Sequence, residues 1–211
     1  PAASGPNVMD IDFDALIANE TDSTLKDMHE YFRDRTPTEK NQYTGMFQGK
    51  NLLLFTGEAF WIGAVNEQYT PTLYKLAHSG FVFENFYNPL WYYSTVDGEY
   101  AATTGLIPTN QVNASQRYAG KNGVSMYFSM GNQLRALGYP TLAYHNNTAN
   151  YYDRNLSHPN LGYDFYACDT GLDVAMTWPQ SDLEMMQLTL PQALAGEKPF
   201  HNYYMTVSGQ M

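Results

Sequence analysis

The run Leu52-Leu53-Leu54-Phe55, bounded by Asn51 before it and Thr56-Gly57-Glu58 after it, constrains the fold more than any other stretch. Consecutive apolar residues leave no polar face to turn toward water. Such a strand is expected to be buried on both sides, the environment of a parallel sheet covered by helices. Other segments repeat the theme. Phe81-Val82-Phe83-Glu84-Asn85-Phe86-Tyr87 reads as a second strand, Thr141-Leu142-Ala143-Tyr144 as a short one delivering His145, and residues 201–207 as the last. An apolar strand reading at residues 91–93 gives way to a helical pattern near Thr95, closed by Gly105 and Pro108. Thr70-Pro71 fits a cap followed by Pro at the first helical position, opening a helix to Ala77. Residues 126–137 read as a helix stopped by Gly138. Residues 181–194 read as another, which Pro191 should kink or end. Strands alternating with helices predict an α/β fold: a mainly parallel sheet with helices on both faces.

Ahead of this core, residues 1–10 are small and polar. Residues 13–33 carry a helical pattern that Thr21-Asp22-Ser23 interrupts, so two shorter helices fit as well as one. Residues 36–42 read as a connector, making 1–42 a helical lead. The chain opens on Pro1-Ala2-Ala3 without an initiator Met, as a trimmed or processed product would.

Composition narrows the partners. The formal charge is −10 and the pI about 4.7. A non-specific nucleic-acid binder needs a basic face, so that class is disfavoured. No segment has the roughly 18 apolar residues that cross a bilayer. The single cysteine, Cys168, rules out an intramolecular disulfide and any CxxC metal site. The 18 tyrosines suit wet clefts that handle sugars or polyols, or are simply the habit of a tyrosine-rich fold.

In parallel α/β sheets ligands bind beyond the carboxyl ends of the strands. Three predicted strands end in polar groups, Glu58, His145 and Gln210, which would share one rim if the strands are neighbours. Glu58 at a strand end and the Thr95 hydroxyl at a helix start form a minimal kit for metal-assisted attack on a phosphoester. The carboxylate holds a cation, and the cation lowers the pKa of the hydroxyl. Each residue also has a plainer reading. Glu58 alone is a solvated loop acid, and Thr95 alone is a helix cap. Asp97 and Glu99 read as first-turn acids favoured by the helix dipole. Arg154, in the polar loop after His145, offers a planar fork suited to phosphate, or else pairs on the surface with Asp153 or Asp164. His29, His78, His158 and His201 lack metal-ligand spacing and read as structural or surface residues. Asn19, Asn113, Asn146 and Asn155 open N-x-S/T sequons that carry meaning only in a glycosylating host.

The order of these pieces adds a resemblance. Gly57-Glu58-Ala59-Phe60, Thr70-Pro71-Thr72-Leu73, Ser94-Thr95-Val96-Asp97-Gly98-Glu99, Tyr144-His145-Asn146-Asn147, Tyr152-Asp153-Arg154-Asn155, Leu161-Gly162-Tyr163-Asp164 and Thr206-Val207-Ser208-Gly209 follow one another as in the extracellular catalytic domain of lipoteichoic acid synthases and related phosphoglycerol transferases. These belong to the sulfatase-like branch of the alkaline phosphatase superfamily, and the resemblance covers residues 43–211. It implies that Glu58 binds a metal and that Thr95 is a nucleophile also touching it. It further implies that His145, Tyr152, Arg154 and Gln210 surround a glycerol-phosphate headgroup. Mn2+ or Mg2+ is the implied cofactor. The implied partners are a phosphatidylglycerol donor and a polyglycerol-phosphate or glycolipid acceptor at the outer face of a bacterial membrane, with membrane helices preceding Pro1. Tyr152 stands where the family usually has Trp, and Gln210 where it usually has His. The family completes its ion site with an Asp-His pair beyond the last strand. Residues 43–211 would then be the amino-terminal part of that domain, truncated on its C-terminal side, with an incomplete metal site and little activity by itself. A sulfatase needs a C/S-x-P-x-R sequence, and Cys168-Asp169-Thr170-Gly171 does not supply it. A sulfatase-family phosphoethanolamine transferase or hydrolase and a non-catalytic glycerol-phosphate or glycan-binding module remain alternatives.

Overall fold

A computed structural model describes residues 4–87, 94–107 and 126–210. The expectations for residues 91–93, Pro108 and Asn113 fall outside them. The chain forms two compact units, Pro1–Gly49 and Lys50–Met211.

In the first unit two helices pack together, α1 (Phe13–Asn19) and α2 (Ser23–Arg33). The break between them is built by side chains. Glu20 Oε1 accepts from the amides of Thr21 and Asp22, and Asp22 Oδ1 accepts from those of Thr24 and Leu25. An acid accepting from orphan amides starts the second helix and stops the first from continuing. The two-helix reading of the sequence holds.

The second unit is a four-stranded sheet. Its strands are β1 (Leu52–Thr56), β2 (Thr141–His145), β3 (Asp164–Ala167) and β4 (His201–Met205). The order is β1-β4-β2-β3 and every pair is parallel. The helices are α3 (Pro71–Ala77), α4 (Ser94–Thr104), α5 (Met130–Ala136), α6 (Arg154–Asn160) and α7 (Asp182–Ala195). Both sheet faces are covered, as an α/β fold requires. On one face Ala143, Tyr203 and Met205 pack with Leu161 and Tyr163, which follow α6. On the other, Tyr144 and Tyr204 pack with Leu172, Val174 and Met185 of α7. On that second face one aromatic ring from each strand stacks on the next in sheet order: Phe55, Tyr204, Tyr144, Tyr166, with centroids 5.1, 5.2 and 5.7 Å apart.

Four expectations are corrected. Phe81-Tyr87 forms no strand: its residues are exposed and pair with neither edge of the sheet. Apolar side chains alone do not make a strand, because the backbone needs a ladder partner. β1 is not buried on both faces. It stands at an edge of the sheet among the described residues, with alternate side chains exposed. Pro191 does not end α7, which runs on to Ala195 and is opened by Ser181 accepting from the Glu184 amide. Thr70 sits at the cap of α3 without capping it, since its hydroxyl donates to Ala64 O at 2.6 Å.

Candidate active site

All six residues singled out in the sequence, Glu58, Thr95, His145, Tyr152, Arg154 and Gln210, line one cavity of about 160 Å³ at the carboxyl end of the sheet. Different elements deliver them. Glu58 leaves β1, His145 ends β2 and Gln210 follows β4, as the shared-rim reading expects. Thr95 comes from the first turn of α4. Tyr152 and Arg154 come from a short 3-10 turn (Tyr151–Asp153) running into α6.

The loops after β1 and β4 are locked to each other. Thr206 Oγ1 accepts from the Glu58 amide at 2.9 Å and donates to Thr56 O at 3.1 Å. Gly209 lies so close that a Cβ there would meet the Glu58 carbonyl oxygen at 2.3 Å. Asp182, at the start of α7, holds the same loop from the other side. Its Oδ1 accepts from Val207 N and from Asn146 Nδ2, and its Oδ2 accepts from Ser208 N. This clamp fixes the position from which Gln210 reaches the cavity.

Thr95 Oγ1 donates to Glu58 Oε2 at 3.3 Å. The hydroxyl and the carboxylate therefore meet, and Thr95 does not act as a plain cap. Backbone strain gathers here too. Among the described residues the non-glycine positions at positive φ are Ala59, Tyr152 and Asp153, at 51°, 58° and 54°. One follows Glu58 and the other two precede Arg154. Strain of this kind costs of order 1–3 kcal/mol per residue and clusters at sites where geometry matters more than stability.

Arg154 is 1% exposed and is not a surface residue. Asp164 pairs instead with Arg135 at 2.9 Å. The Arg154 partner is Glu99, which the sequence offered as a helix-dipole acid. Glu99 and Asp97 are both buried, because α4 turns them into the protein rather than toward water. Arg154 Nε lies 3.1 Å from both carboxylate oxygens of Glu99. Nη2 lies 3.0 Å from Oε2, off the hydrogen-bond line. Nη1 donates to Tyr151 O and to His145 Nε2, each at 3.1 Å. The guanidinium also sits over the rings of Tyr151 and Tyr152, 5.8 and 5.3 Å from their centroids. Glu99 in turn lies 3.1 Å from the Tyr203 hydroxyl and 3.8 Å from His158 Nε2.

These contacts fix the state of His145. Nδ1 donates to Met205 O at 3.1 Å, so Nε2 is the bare nitrogen that accepts from Arg154. Burial, reinforced by the Arg154 charge, lowers its pKa to about 3. His158 is lowered to about 3 by the same two causes. Both rings are neutral at pH 7. His145 is then a hydrogen-bond acceptor that orients the guanidinium, not a source of positive charge. Burial raises the Tyr152 hydroxyl, which stays protonated.

Sequence reasoning missed Asn147, Tyr151, Trp178 and Thr206, which line the same cavity. Tyr151 and Asn147 stood in the polar loop already marked after His145. Nothing in the sequence around Trp178 distinguishes it from an ordinary surface aromatic. Among the described residues no three His, Cys, Asp or Glu side chains gather as ion ligands. Glu58 and Thr95 offer two hard oxygen donors, the type that Mg2+ or Mn2+ accepts.

The geometry can be set beside known proteins. Lipoteichoic acid synthase 2 of Bacillus subtilis (strain 168) is 23% identical over 201 residues, covering 88% of this chain and 30% of that protein. The lipoteichoic acid synthase LtaP of Listeria monocytogenes superposes with a TM-score of 0.66 at 24% identity, over 79% of this chain and 42% of that one. An alkaline phosphatase superfamily protein of Vibrio parahaemolyticus does so with a TM-score of 0.60 at 22% identity, over 75% and 40%. The chain thus spans less than half the length of each of these relatives. It shares the superfamily's fold, and the family model for sulfatases matches residues 50–209, most of the second unit. By that match the chain belongs to the sulfatase family.

Proposed function

We propose that this chain carries part of the active site of a phosphoglycerol transferase. That enzyme moves glycerol phosphate from phosphatidylglycerol to a polyglycerol-phosphate or glycolipid acceptor at the outer face of a bacterial membrane. The observation that carries the reading is the Thr95–Glu58 contact at 3.3 Å inside a cavity that also holds Arg154. Nucleophile, anionic ion ligand and phosphate-type donor converge on one small volume.

In the first step Thr95 Oγ forms a bond to phosphorus and the bond from phosphorus to the diacylglycerol oxygen breaks. Diacylglycerol leaves with the proton that Thr95 gives up. In the second, an acceptor hydroxyl oxygen forms the new bond to phosphorus, the bond from Thr95 Oγ to phosphorus breaks, and the acceptor's proton returns to Oγ. Splitting one displacement into two lowers each barrier. Glu58 and Thr95 would hold a divalent cation, Mn2+ or Mg2+, whose chemistry when bound is to acidify the hydroxyl and offset phosphoryl charge. Arg154, held by Glu99 and His145, lines the cavity and places a guanidinium beside the phosphoryl group. Tyr152 and Tyr151 wall the headgroup, and Gln210 hydrogen-bonds it. A Gln donates and accepts but carries no proton at neutral pH as His can, so position 210 binds here and performs no proton transfer.

The test is Thr95→Ala in the complete protein, assayed for headgroup release from phosphatidylglycerol and from phosphatidylethanolamine. Turnover of phosphatidylglycerol should fall on the order of 10³-fold or more, as for loss of a nucleophile. Undiminished turnover removes Thr95 from the mechanism. Preference for phosphatidylethanolamine favours the phosphoethanolamine transferase. Tight, cation-independent binding of glycerol phosphate with no turnover favours a binding module.

A further inference from the structure

The charges around the cavity leave no net attraction for an anion. Its charged lining residues are Glu58 and Arg154. Arg154 is already matched by Glu99, through Nε at 3.1 Å to both carboxylate oxygens and Nη2 at 3.0 Å to one. His145 and His158, the rings beside this pair, are neutral at pH 7. Glu58 therefore leaves the site with one net negative charge. Nη2 of the same guanidinium is buried against Glu99 without an in-line hydrogen bond. Arg154 lines the cavity with no charge to spare.

We propose that Glu99 sets the charge of this site: by cancelling Arg154 it makes the cavity reject a bare phosphate anion and accept a phosphoester only together with a divalent cation. The inference rests on the phosphoester reading above and adds a residue to it. Glu99 does not line the cavity. It acts through Arg154, as a positioning residue whose charge matters as much as its shape. The device would keep inorganic phosphate out of a cation-free site. Glu99 lies one helical turn after Thr95 on α4, so the helix that carries the nucleophile also carries the charge control. A unit charge about 6 Å from a bound anion changes its affinity by about ten- to a hundredfold at a protein-like effective dielectric.

The test is titration of the full chain with inorganic phosphate in EDTA, followed by calorimetry and thermal shift, for the unmodified protein, Glu99→Gln and Glu99→Asp. Glu99→Gln should bind phosphate at least tenfold more tightly than the unmodified protein, and Glu99→Asp, which keeps the charge, should not. A purely structural role predicts the reverse: looser Arg154 and weaker binding in Glu99→Gln. Equal or weaker binding there overturns the proposal, as does tight cation-free binding by the unmodified protein. Should Glu99→Gln fail to fold, Gln210→Lys adds a positive charge to the lining without touching the ion pair. It should show the same gain, and no gain overturns the charge argument. A separate titration of the unmodified protein with glycerol phosphate and Mn2+ reports on the phosphoglycerol reading. Its failure leaves the EDTA result standing, so the two ideas fall independently.

Discussion

β1 and β4 lie side by side in register and are opposites in composition. β1 is the most apolar of the four described strands, yet Leu53 is 39% and Phe55 48% exposed. β4 reads His-Asn-Tyr-Tyr-Met, and all five residues are buried. The polarity of a strand thus says how its side chains must be satisfied, not how deep it lies. β4 survives burial because its polar side chains find partners, with Asn202 Oδ1 the one polar side-chain atom of the strand left without a hydrogen bond. His201 Nδ1 donates to Leu52 O, and Nε2 accepts from the Tyr163 hydroxyl. Asn202 Nδ2 donates to the Tyr204 hydroxyl, which donates on to Thr189. The Tyr203 hydroxyl lies 3.1 Å from both Thr56 Oγ1 and Glu99 Oε1. Partnered polar groups cost little when buried, whereas orphaned ones cost 1–3 kcal/mol each.

The contrast can be broken most directly at Tyr203. Tyr203→Ala removes a ring packed against Tyr163 and His158, with centroids 5.8 and 5.9 Å away, and strips Glu99 of a partner. The expected loss is about 3–5 kcal/mol in urea unfolding. A loss below about 1 kcal/mol would mean that β4 is not the energetic centre of the sheet.

Acid should act at the same centre. His145 and His158 have pKa values lowered by burial, so in the unfolded chain they bind protons that the folded protein refuses. Their contribution is complete above the unfolded value near 6.5 and is lost as pH falls from there toward 3. Unfolding free energy should drop by roughly 2 kcal/mol per histidine between pH 7 and pH 5. A flat profile over that range would show that the rings are not held neutral.

The smallest effect belongs to the edge. Leu53→Ala in β1 should cost about 1–2 kcal/mol, because only part of this 39% exposed residue leaves water on folding. A cost near that of Tyr203→Ala would mean that the exposed face of β1 is covered in solution.

The sequence made the sheet's class and the site's rim legible for different reasons. Alternation of strand and helix is a local pattern, and strand ends are where an α/β fold places its ligands. Glu58, His145 and Gln210 could be found that way, and their order along the chain located Thr95, Tyr152 and Arg154. The strand expected at residues 81–87 failed because hydrophobicity shows a wish to be buried and not a partner for the backbone. β3 went unseen because Asp-Phe-Tyr-Ala is short and begins with a charge. Glu99 was misjudged for a third reason. It lies beyond the first turn of α4, and whether an acid there faces water or an arginine depends on a residue far along the chain, a pairing that no local pattern encodes.

The stacked line of Phe55, Tyr204, Tyr144 and Tyr166 has a further consequence. Sliding any strand by a single residue would throw its ring to the opposite side of the sheet, and sliding it by two would carry the ring about 6.6 Å out of the pile. The pile therefore works as a gauge that tolerates one alignment. Glu58, His145 and Gln210 all lie downstream of a gauged position on their own strand, so the spacing of the rim is measured out by aromatic rings that never touch what the cavity holds.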